Sequence, residues 1–282
     1  MKTFLRTIFV TIITIITLFS CTDVIDVEVP EADPRLVVEA SLDWEKGTQG
    51  NSQTIKLSTS TPYFDQETNA SVVGASVIIT NDNDGTTVVF IDENNGNYTT
   101  NSFVPELNQS YTLEIIYNGD IYVAHETLMP VVDIADVYQT IDKGLSEVLE
   151  FNVDFSDLAN EENFYLFKIQ EEADLLPTLF DIKDEFVNGN LINVFHERIE
   201  DEDINQVEYQ AGDKVAIELY GISEEYYEYI SLLIQQYESA DNPFGTIPVP
   251  LKGNCINTSD ASNYAFGYFR LTQVVKTNYT FE

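Results

Sequence analysis

The sequence is poor in basic residues: 13 Lys and Arg stand against 48 Asp and Glu, and the formal net charge is −35. Binding to nucleic acid needs Lys and Arg contacts to phosphate, so this composition excludes a nucleic-acid-binding protein. It also argues against docking on anionic lipid through the protein's own surface. A cation or the basic face of another protein suits such a surface better, with solubility alone as the other explanation.

Cysteine and histidine are equally scarce, with two of each. A disulfide scaffold is therefore excluded, and Cys255 is expected to be a small buried residue, with a reactive thiol as the alternative. His125 and His196 are the only bases with an ordinary pKa near neutral. His196 opens the string HERIE, which lacks the second His of a zinc-protease motif, so a structural or surface role is predicted.

The motifs of common enzyme classes are also missing. The chain has no Gly-Xaa-Ser-Xaa-Gly elbow, no phosphate-binding P-loop and no dinucleotide-binding glycine pattern. Carboxylates are so numerous that no pair can be assigned as a glycosidase dyad. We predict no catalytic and no cofactor-binding residues, and we expect a protein that is not an enzyme. A hydrolase that uses carboxylates is the enzymatic alternative.

The most apolar stretch lies at the very start of the chain. Lys2 and Arg6 precede the run IFVTIITIITLF at 8–19, and Ser20 and Cys21 follow it. This arrangement is typical of a secretory signal, and the run is too short to span a bilayer. LFSC at 18–21 resembles the lipobox of bacterial lipoproteins. Residues 1–20 are therefore predicted to be a signal peptide, and Cys21 a lipidated N-terminus anchored in the bilayer. A secreted protein with an unmodified Cys21 is the alternative.

Residues 21–34 are predicted to form an acidic tether, and a β-rich region follows up to residue 130. Asp84-Gly85 and Asn118-Gly119 each separate two β-favouring runs, which is a hairpin signal because Gly accepts a positive φ. Seven strands within about a hundred residues predict an immunoglobulin-like β-sandwich over 35–130. They are expected at 35–41, 54–58, 72–80, 86–91, after the turn at 95–99, at 111–117 and at 121–125.

Residues 131–282 are predicted to form a second β-rich domain with one packed helix at 223–240. Ser223 can cap the helix, and Asn242-Pro243 stops it. A stripe of apolar side chains recurs at helical spacing and is expected to face the core. Tyr227 is placed on the outward side. The stripe consists of Tyr226, Tyr229, Ile230, Leu233 and Tyr237.

Few residues stand out as binding candidates. The turn at 81–85 could offer the carboxylates of Asp82 and Asp84 to calcium, although an ordinary turn explains the same residues. Trp44 and Tyr227 are candidates for contact with a ligand or partner, with core packing as the alternative for both. The acidic run at 200–203 is either a solvated loop or a docking patch for a basic partner.

Several fragments, taken in order, resemble one protein family. They are the lipobox at 18–21, VIDV at 24–27, PRLVVEA at 34–40, IKLSTSTPYF at 55–64, VGASV at 73–77, GNY at 96–98, NPF at 242–244 and GYF at 267–269. Together they resemble a family of Bacteroidota outer-membrane lipoproteins carried as domain of unknown function 4249. The resemblance implies a mainly β fold whose N-terminal sandwich is related to carboxypeptidase regulatory-like domains. It also implies frequent neighbourhood with TonB-dependent receptors, and no catalytic residues.

These observations lead to one functional hypothesis and its alternatives. The expected function is that of a lipid-anchored outer-membrane protein, exposed at the cell surface, which acts as a non-enzymatic accessory or ligand-binding subunit of a TonB-dependent transporter. The expected partners are therefore an outer-membrane β-barrel and, through Cys21, the lipid bilayer. The main alternative is a structural or adhesion subunit of an outer-membrane assembly.

Overall fold

The computed structural model describes residues 33–61, 70–141, 148–159, 162–172, 174–184, 189–198, 207–239 and 251–282. The predicted signal peptide, Cys21, nearly all of the tether and the acidic run at 200–203 lie outside the described residues. The elements of the first half are β1 (Leu36–Glu45), β2 (Gln53–Thr59), β3 (Ala70–Ser71), β4 (Ser76–Asn81), β5 (Thr87–Asp92), β6 (Asn97–Thr100), β7 (Ser110–Tyr117) and β8 (Asp120–Thr127).

The second half is also built of strands, with one α-helix in the described part of the chain. Its elements are β9 (Ile134–Ile141), β10 (Leu149–Ser156), β11 (Phe164–Glu171), β12 (Thr178–Lys183), β13 (Leu191–Glu197), β14 (Lys214–Ile222), α1 (Glu224–Ser239), β15 (Ile256–Asn257) and β16 (Phe266–Thr280). The prediction of a mainly β fold with one packed helix is confirmed.

Two sheets contain all of these strands. The large sheet has the order β12-β11-β14-β16-β1-β2-β6-β5-β4-β7-β8-β15, with β3 attached to β2. The small sheet has the order β13-β10-β9. The large sheet curls, so that apolar side chains of β1, β2 and β6 share one core with those of β4, β7 and β8. Cys255 is buried in this first core, as expected.

A second core lies between the small sheet and the strands β11, β14 and β16 of the large sheet. Phe151, Val153 and Phe155 of β10 face Phe167 of β11 and Ile217 of β14 across this core. Helix α1 packs on the opposite face of β11 and β14. Strand β11 is therefore covered on both faces, which explains its nearly continuous apolar sequence FYLFKI.

Strand β16 connects the two cores. Residues Phe266 to Val274 pair in parallel with β1, and Val274 to Thr280 pair antiparallel with β14. Strand β15 pairs with β8, so residues near the C-terminus complete the first core. One continuous strand thus belongs to both halves of the large sheet.

The prediction for the helix surface is partly wrong. Tyr226 and Ile230 are buried, but Leu233 is 40% exposed and Tyr237 is 75% exposed. Tyr227 does not turn outward: its ring packs on that of Phe164, with a centroid distance of 5.0 Å. The stripe that packs on the core consists of Tyr226, Tyr227, Tyr229, Ile230 and Ile234, so Tyr229 faces the core as predicted. Both stripes have helical spacing, so periodicity alone could not choose between them.

The start of α1 rests on a buried carboxyl group of the first half. Ser223 Oγ accepts a hydrogen bond from the Tyr226 amide at 3.2 Å, as a helix cap does, and donates one to Glu126 Oε2 at 3.0 Å. Glu126 Oε1 accepts from the Thr127 amide at 2.8 Å. Burial raises the pKa of Glu126 to about 7, despite these two hydrogen bonds that favour its ionised form.

We expect Glu126→Gln to stabilise the protein at alkaline pH. The folded pKa of about 7 lies above the ordinary 4.5, so the unfolded chain loses this proton first as the pH rises. Stability therefore falls between these two values and stays lower above them. Glutamine avoids this loss, so the free energy of unfolding should rise by up to about 3 kcal/mol at pH 8 and hardly change at pH 4.

Denaturant unfolding at both pH values measures this difference. Glu114→Gln, on the neighbouring strand β7, removes the same charge from a half-buried position and is the matched control. An equal gain at pH 4 and pH 8, or an equal gain in the control, would contradict the role given to Glu126.

Candidate functional site

The most elaborate polar site lies at the ends of β11 and β13. Glu171 is 6% exposed, and its carboxylate is the centre of the site. Glu171 Oε1 accepts from the Tyr209 hydroxyl at 2.5 Å and lies 3.5 Å from His196 Nε2, while Oε2 accepts from Arg198 Nη1 at 2.7 Å. Arg198 Nη2 also donates to Asp213 Oδ2 at 2.6 Å. These five residues are called the Glu171 cluster.

Aromatic rings hold the cluster in place. The Arg198 guanidinium lies 4.5 Å from the centroid of the Tyr209 ring, and Tyr209 stacks on Phe281 at 4.3 Å. The His196 ring contacts those of Phe151 and Phe180 at 5.6 and 5.4 Å. His196 therefore has the structural surroundings expected from the sequence, since aromatic rings and one carboxylate enclose it.

The electrostatics of the cluster keep Glu171 ionised. Burial raises its pKa, but hydrogen bonds from His196, Tyr209 and Arg198 outweigh burial and lower the pKa to about 2. Burial and the adjacent carboxylate raise the pKa of Tyr209, which stays protonated. Neither group can exchange a proton readily near neutral pH. The cluster is therefore suited to holding residues 207–213 against the strand ends rather than to acid–base chemistry.

A cavity of about 290 Å³ opens beside the cluster. Its walls are Glu171, Glu172, Arg198, Gly212, Asp213 and Lys214. Carboxylates and cationic groups both face it, so it fits a small polar molecule rather than an apolar one. Typical small-molecule sites are larger and mostly apolar, and this cavity does not match them.

A second feature is the solvent-facing side of the small sheet, here called the outer face. Leu191 and Phe195 of β13 project from it and are 58% and 59% exposed. Between them, Asn193 Nδ2 donates to Asp154 Oδ1 at 2.7 Å and to the Tyr138 hydroxyl at 3.3 Å. The polar groups are thus held in fixed positions beside two exposed apolar side chains.

Carboxylates surround these groups on the outer face. Antiparallel pairing places Asp136 opposite Asp154 and Glu197 opposite Glu150, so each pair shares one side of the sheet. Glu150 Oε1 accepts from Thr140 Oγ1 at 2.5 Å. The outer face therefore combines exposed apolar side chains with a strongly negative surface.

The sequence-based binding candidates lie elsewhere. Trp44 is half-buried at the end of the first core, and its Nε1 donates to the Thr48 carbonyl at 2.9 Å. Tyr227 packs against Phe164, as described above. Asp84 Oδ1 accepts from the Thr86 amide, and Asp82 Oδ1 accepts from Thr112 Oγ1. Each carboxylate of the 81–85 turn therefore accepts a hydrogen bond from a nearby threonine.

Sequence reasoning missed the Glu171 cluster and the outer face. Glu171 lies 27 residues before Arg198 and 38 before Tyr209, and it meets them only because the small sheet packs on the large sheet. One local signal exists: His196 and Arg198 are two residues apart at the end of a strand, so both side chains lie on the same face. His125, which donates to or accepts from Thr112 Oγ1 at 2.8 Å, lies on β8 and takes no part in the cluster.

Two further properties concern the described residues alone. Across those ranges, no three His, Cys, Asp or Glu side chains come together in a way that could hold a metal ion. No helix of the described part has both the length and the apolar character needed to cross a membrane.

The fold and the cluster define a mainly β protein with two cores of sandwich type that share one strand. The family called Domain of unknown function (DUF4249) matches residues 22–278, and the chain belongs to this family. The resemblance to domain of unknown function 4249 found in the sequence is thereby confirmed. No match was found among curated protein sequences.

The solved structures that match this chain are remote from it in sequence and in structure. A DUF4785 family protein from Legionella pneumophila is 13% identical, with a TM-score of 0.26 over 66% of this chain and 51% of that one. This chain thus spans about half the length of the Legionella protein. A two-domain fibronectin type III segment of chicken tenascin is 10% identical, with a TM-score of 0.22 over 67% and 91%. A cytokine receptor complex is 8% identical, with a TM-score of 0.26 over 66% and 82%.

Proposed function

We propose that this protein is a lipid-anchored outer-membrane protein that binds another protein without catalysing a reaction. Its partner is an outer-membrane β-barrel of the TonB-dependent transporter class, for which it acts as an accessory subunit. The lipobox-like sequence ending at Cys21 supports the anchor. The family's expected neighbourhood with TonB-dependent receptors supports the partner.

The observation that carries the binding role is the outer face. Exposed aromatic and aliphatic side chains next to fixed hydrogen-bonding groups are typical of the centre of a protein interface. Phe195 is an apolar anchor, and Asn193, Tyr138 and Asp154 are already positioned for hydrogen bonds. The surrounding carboxylates favour a partner surface that carries Lys and Arg.

The Glu171 cluster supports a binding role over a carboxylate hydrolase. A hydrolase needs one carboxyl group that stays protonated until it donates its proton to the leaving group. Glu171 is instead held ionised by three donors. The small cavity beside it accommodates a polar molecule at most, so the outer face offers the larger binding surface.

We expect purification from native outer membranes in mild detergent to recover a large β-barrel with the wild-type protein. Phe195→Ala should lower this recovery by about tenfold, because aromatic anchors contribute most of the energy at interface centres. Tyr237→Ala removes another exposed aromatic side chain, far along helix α1, and is the matched control. Quantitative mass spectrometry of the recovered proteins measures both effects.

Three results would contradict the proposal. If no β-barrel is recovered with the wild-type protein, the proposed partner is wrong. Recovery of a different envelope protein would favour the structural or adhesion alternative. If Phe195→Ala and the wild type recover equal amounts of the β-barrel, the outer face is not the binding surface. Cys21→Ser adds a test of the anchor, because this variant should leave the membrane fraction.

A further inference from the structure

A buried acidic pair lies at the end of the second core, away from the Glu171 cluster. Asp157 follows β10, and Asp184 follows β12. Asp184 is 1% exposed, and neither of its carboxylate oxygens has a hydrogen-bond partner in the described part of the chain. A buried carboxylate without a partner is strongly unfavourable, so we expect Asp184 either to bind a ligand or to be protonated.

The second carboxylate is firmly positioned. Asp157 is 7% exposed; its Oδ1 accepts from the Tyr165 hydroxyl at 2.6 Å, and its Oδ2 accepts from the Gly189 amide at 2.9 Å. Burial raises the pKa of Asp184, and the neighbouring Asp157 carboxylate raises it further. Two adjacent buried carboxylates need either a shared proton or a cation between them.

Two uncharged oxygens, from the Asn163 side chain and the Leu158 carbonyl, lie next to Asp157. The side chain of Asn163 turns its amide oxygen toward two other oxygens, the Leu158 carbonyl at 3.2 Å and Asp157 Oδ1 at 3.3 Å. In this orientation the amide nitrogen faces only donors. An amide turned over, whose nitrogen donates to both oxygens, satisfies these contacts without an ion, so a cation site and a hydrogen-bonded site differ in the orientation of Asn163.

We propose that Asp157, Asp184, Asn163 and the Leu158 carbonyl form a calcium site. Calcium binds carboxylate, amide and carbonyl oxygens at about 2.4 Å in a flexible coordination sphere that water can complete. Magnesium demands near-ideal octahedral geometry and is seldom held by protein oxygens alone, so this mixed set of ligands suits calcium better.

The position of the site suggests what calcium does there. Asp157 directly follows β10 of the small sheet, and Asn163 directly precedes β11 of the large sheet, so both lie at the crossover between the sheets. Asp184 comes from the far end of β12, at the edge of the large sheet. A bound ion would connect this crossover to the sheet edge and neutralise both carboxylates. Water molecules would complete the coordination sphere.

Isothermal titration with calcium, after chelator treatment of the full chain, tests the site. We expect one ion per chain, with a Kd of roughly 10⁻⁴–10⁻³ M, because the site supplies only two carboxylates. Calcium at about ten times its Kd should raise Tm by roughly 3–6 °C. Asp184→Asn should abolish both effects and still fold, because it removes an unpartnered charge from the interior. Asp84→Asn, in the other oxygen-rich turn, should retain both effects.

Terbium luminescence gives a second measurement. Tyr165 donates to Asp157, so a terbium ion in the site would be excited through this ring, and calcium should displace it. Loss of the signal in Asp184→Asn supports the proposal. Absence of calcium binding in the wild type, or binding that survives Asp184→Asn, would overturn it. In the first case the pair shares a proton and Asn163 donates to it.

Discussion

Gly267→Ala should lower the free energy of unfolding by at least about 3 kcal/mol and Tm by roughly 6–12 °C. Gly267 has φ of +85°, a conformation that strains any residue with a side chain. A Cβ atom here would lie 2.0 Å from the Val38 carbonyl oxygen. Val38 is the partner of Gly267 in the parallel pairing of β1 with β16, so the strands would have to separate.

Gly85→Ala is the matched control for this experiment. Its φ of +76° imposes the same backbone strain, but a Cβ atom there meets nothing within 4 Å. The control should therefore cost only about 1–2 kcal/mol. Thermal and denaturant unfolding of both variants separate the free-energy cost of the close strand contact from the cost of the backbone strain. Equal costs would show that β1 and β16 do not approach as closely as described.

Asp43→Asn should cost about 3–5 kcal/mol, because it leaves a buried guanidinium without its counter-charge. Arg270 is 7% exposed, and its Nη2 donates to Asp43 Oδ1 at 2.5 Å. Its guanidinium also lies 4.9 and 5.1 Å from the ring centroids of Tyr220 and Tyr226. This ion pair joins β1, β14, β16 and the start of helix α1.

Removal of the cationic partner, Arg270, should lower the free energy of unfolding by less than removal of the Asp43 charge. Asp43 is partly accessible to water, so Arg270→Met leaves a carboxylate that can be hydrated, and the methionine side chain fills part of the space between the tyrosine rings. The double variant, Asp43→Asn with Arg270→Met, should recover most of the stability lost in Asp43→Asn. A double-mutant cycle from denaturant unfolding measures the coupling. Additive costs would contradict a direct ion pair.

Local pattern was sufficient for most of the secondary structure. The alternation in β2 and the Asn118-Gly119 turn between β7 and β8 appear in the structure where the sequence placed them. Helix α1 begins directly after the predicted cap Ser223. The strand β3 was missed, because a segment of two exposed residues carries no apolar alternation.

The candidate site was far less predictable. Glu171, Arg198 and Tyr209 carry no distinguishing local pattern among 48 acidic and 16 tyrosine residues. They come into hydrogen-bonding distance only because the small sheet, which contains β13, packs on the face of the large sheet that contains β11 and β14. The same holds for Asp157 and Asp184, which lie at the ends of strands in different sheets.

The sequence by itself determined the β-rich character, the position of the helix and the acidic surface, because these depend on periodicity, capping and composition. Only the tertiary structure decided that β16 lies parallel to β1 and connects both cores. It also decided which stripe of α1 is buried and which carboxylates lose contact with water. Contacts between distant segments depend on how whole sheets pack, and no local pattern in the chain records them.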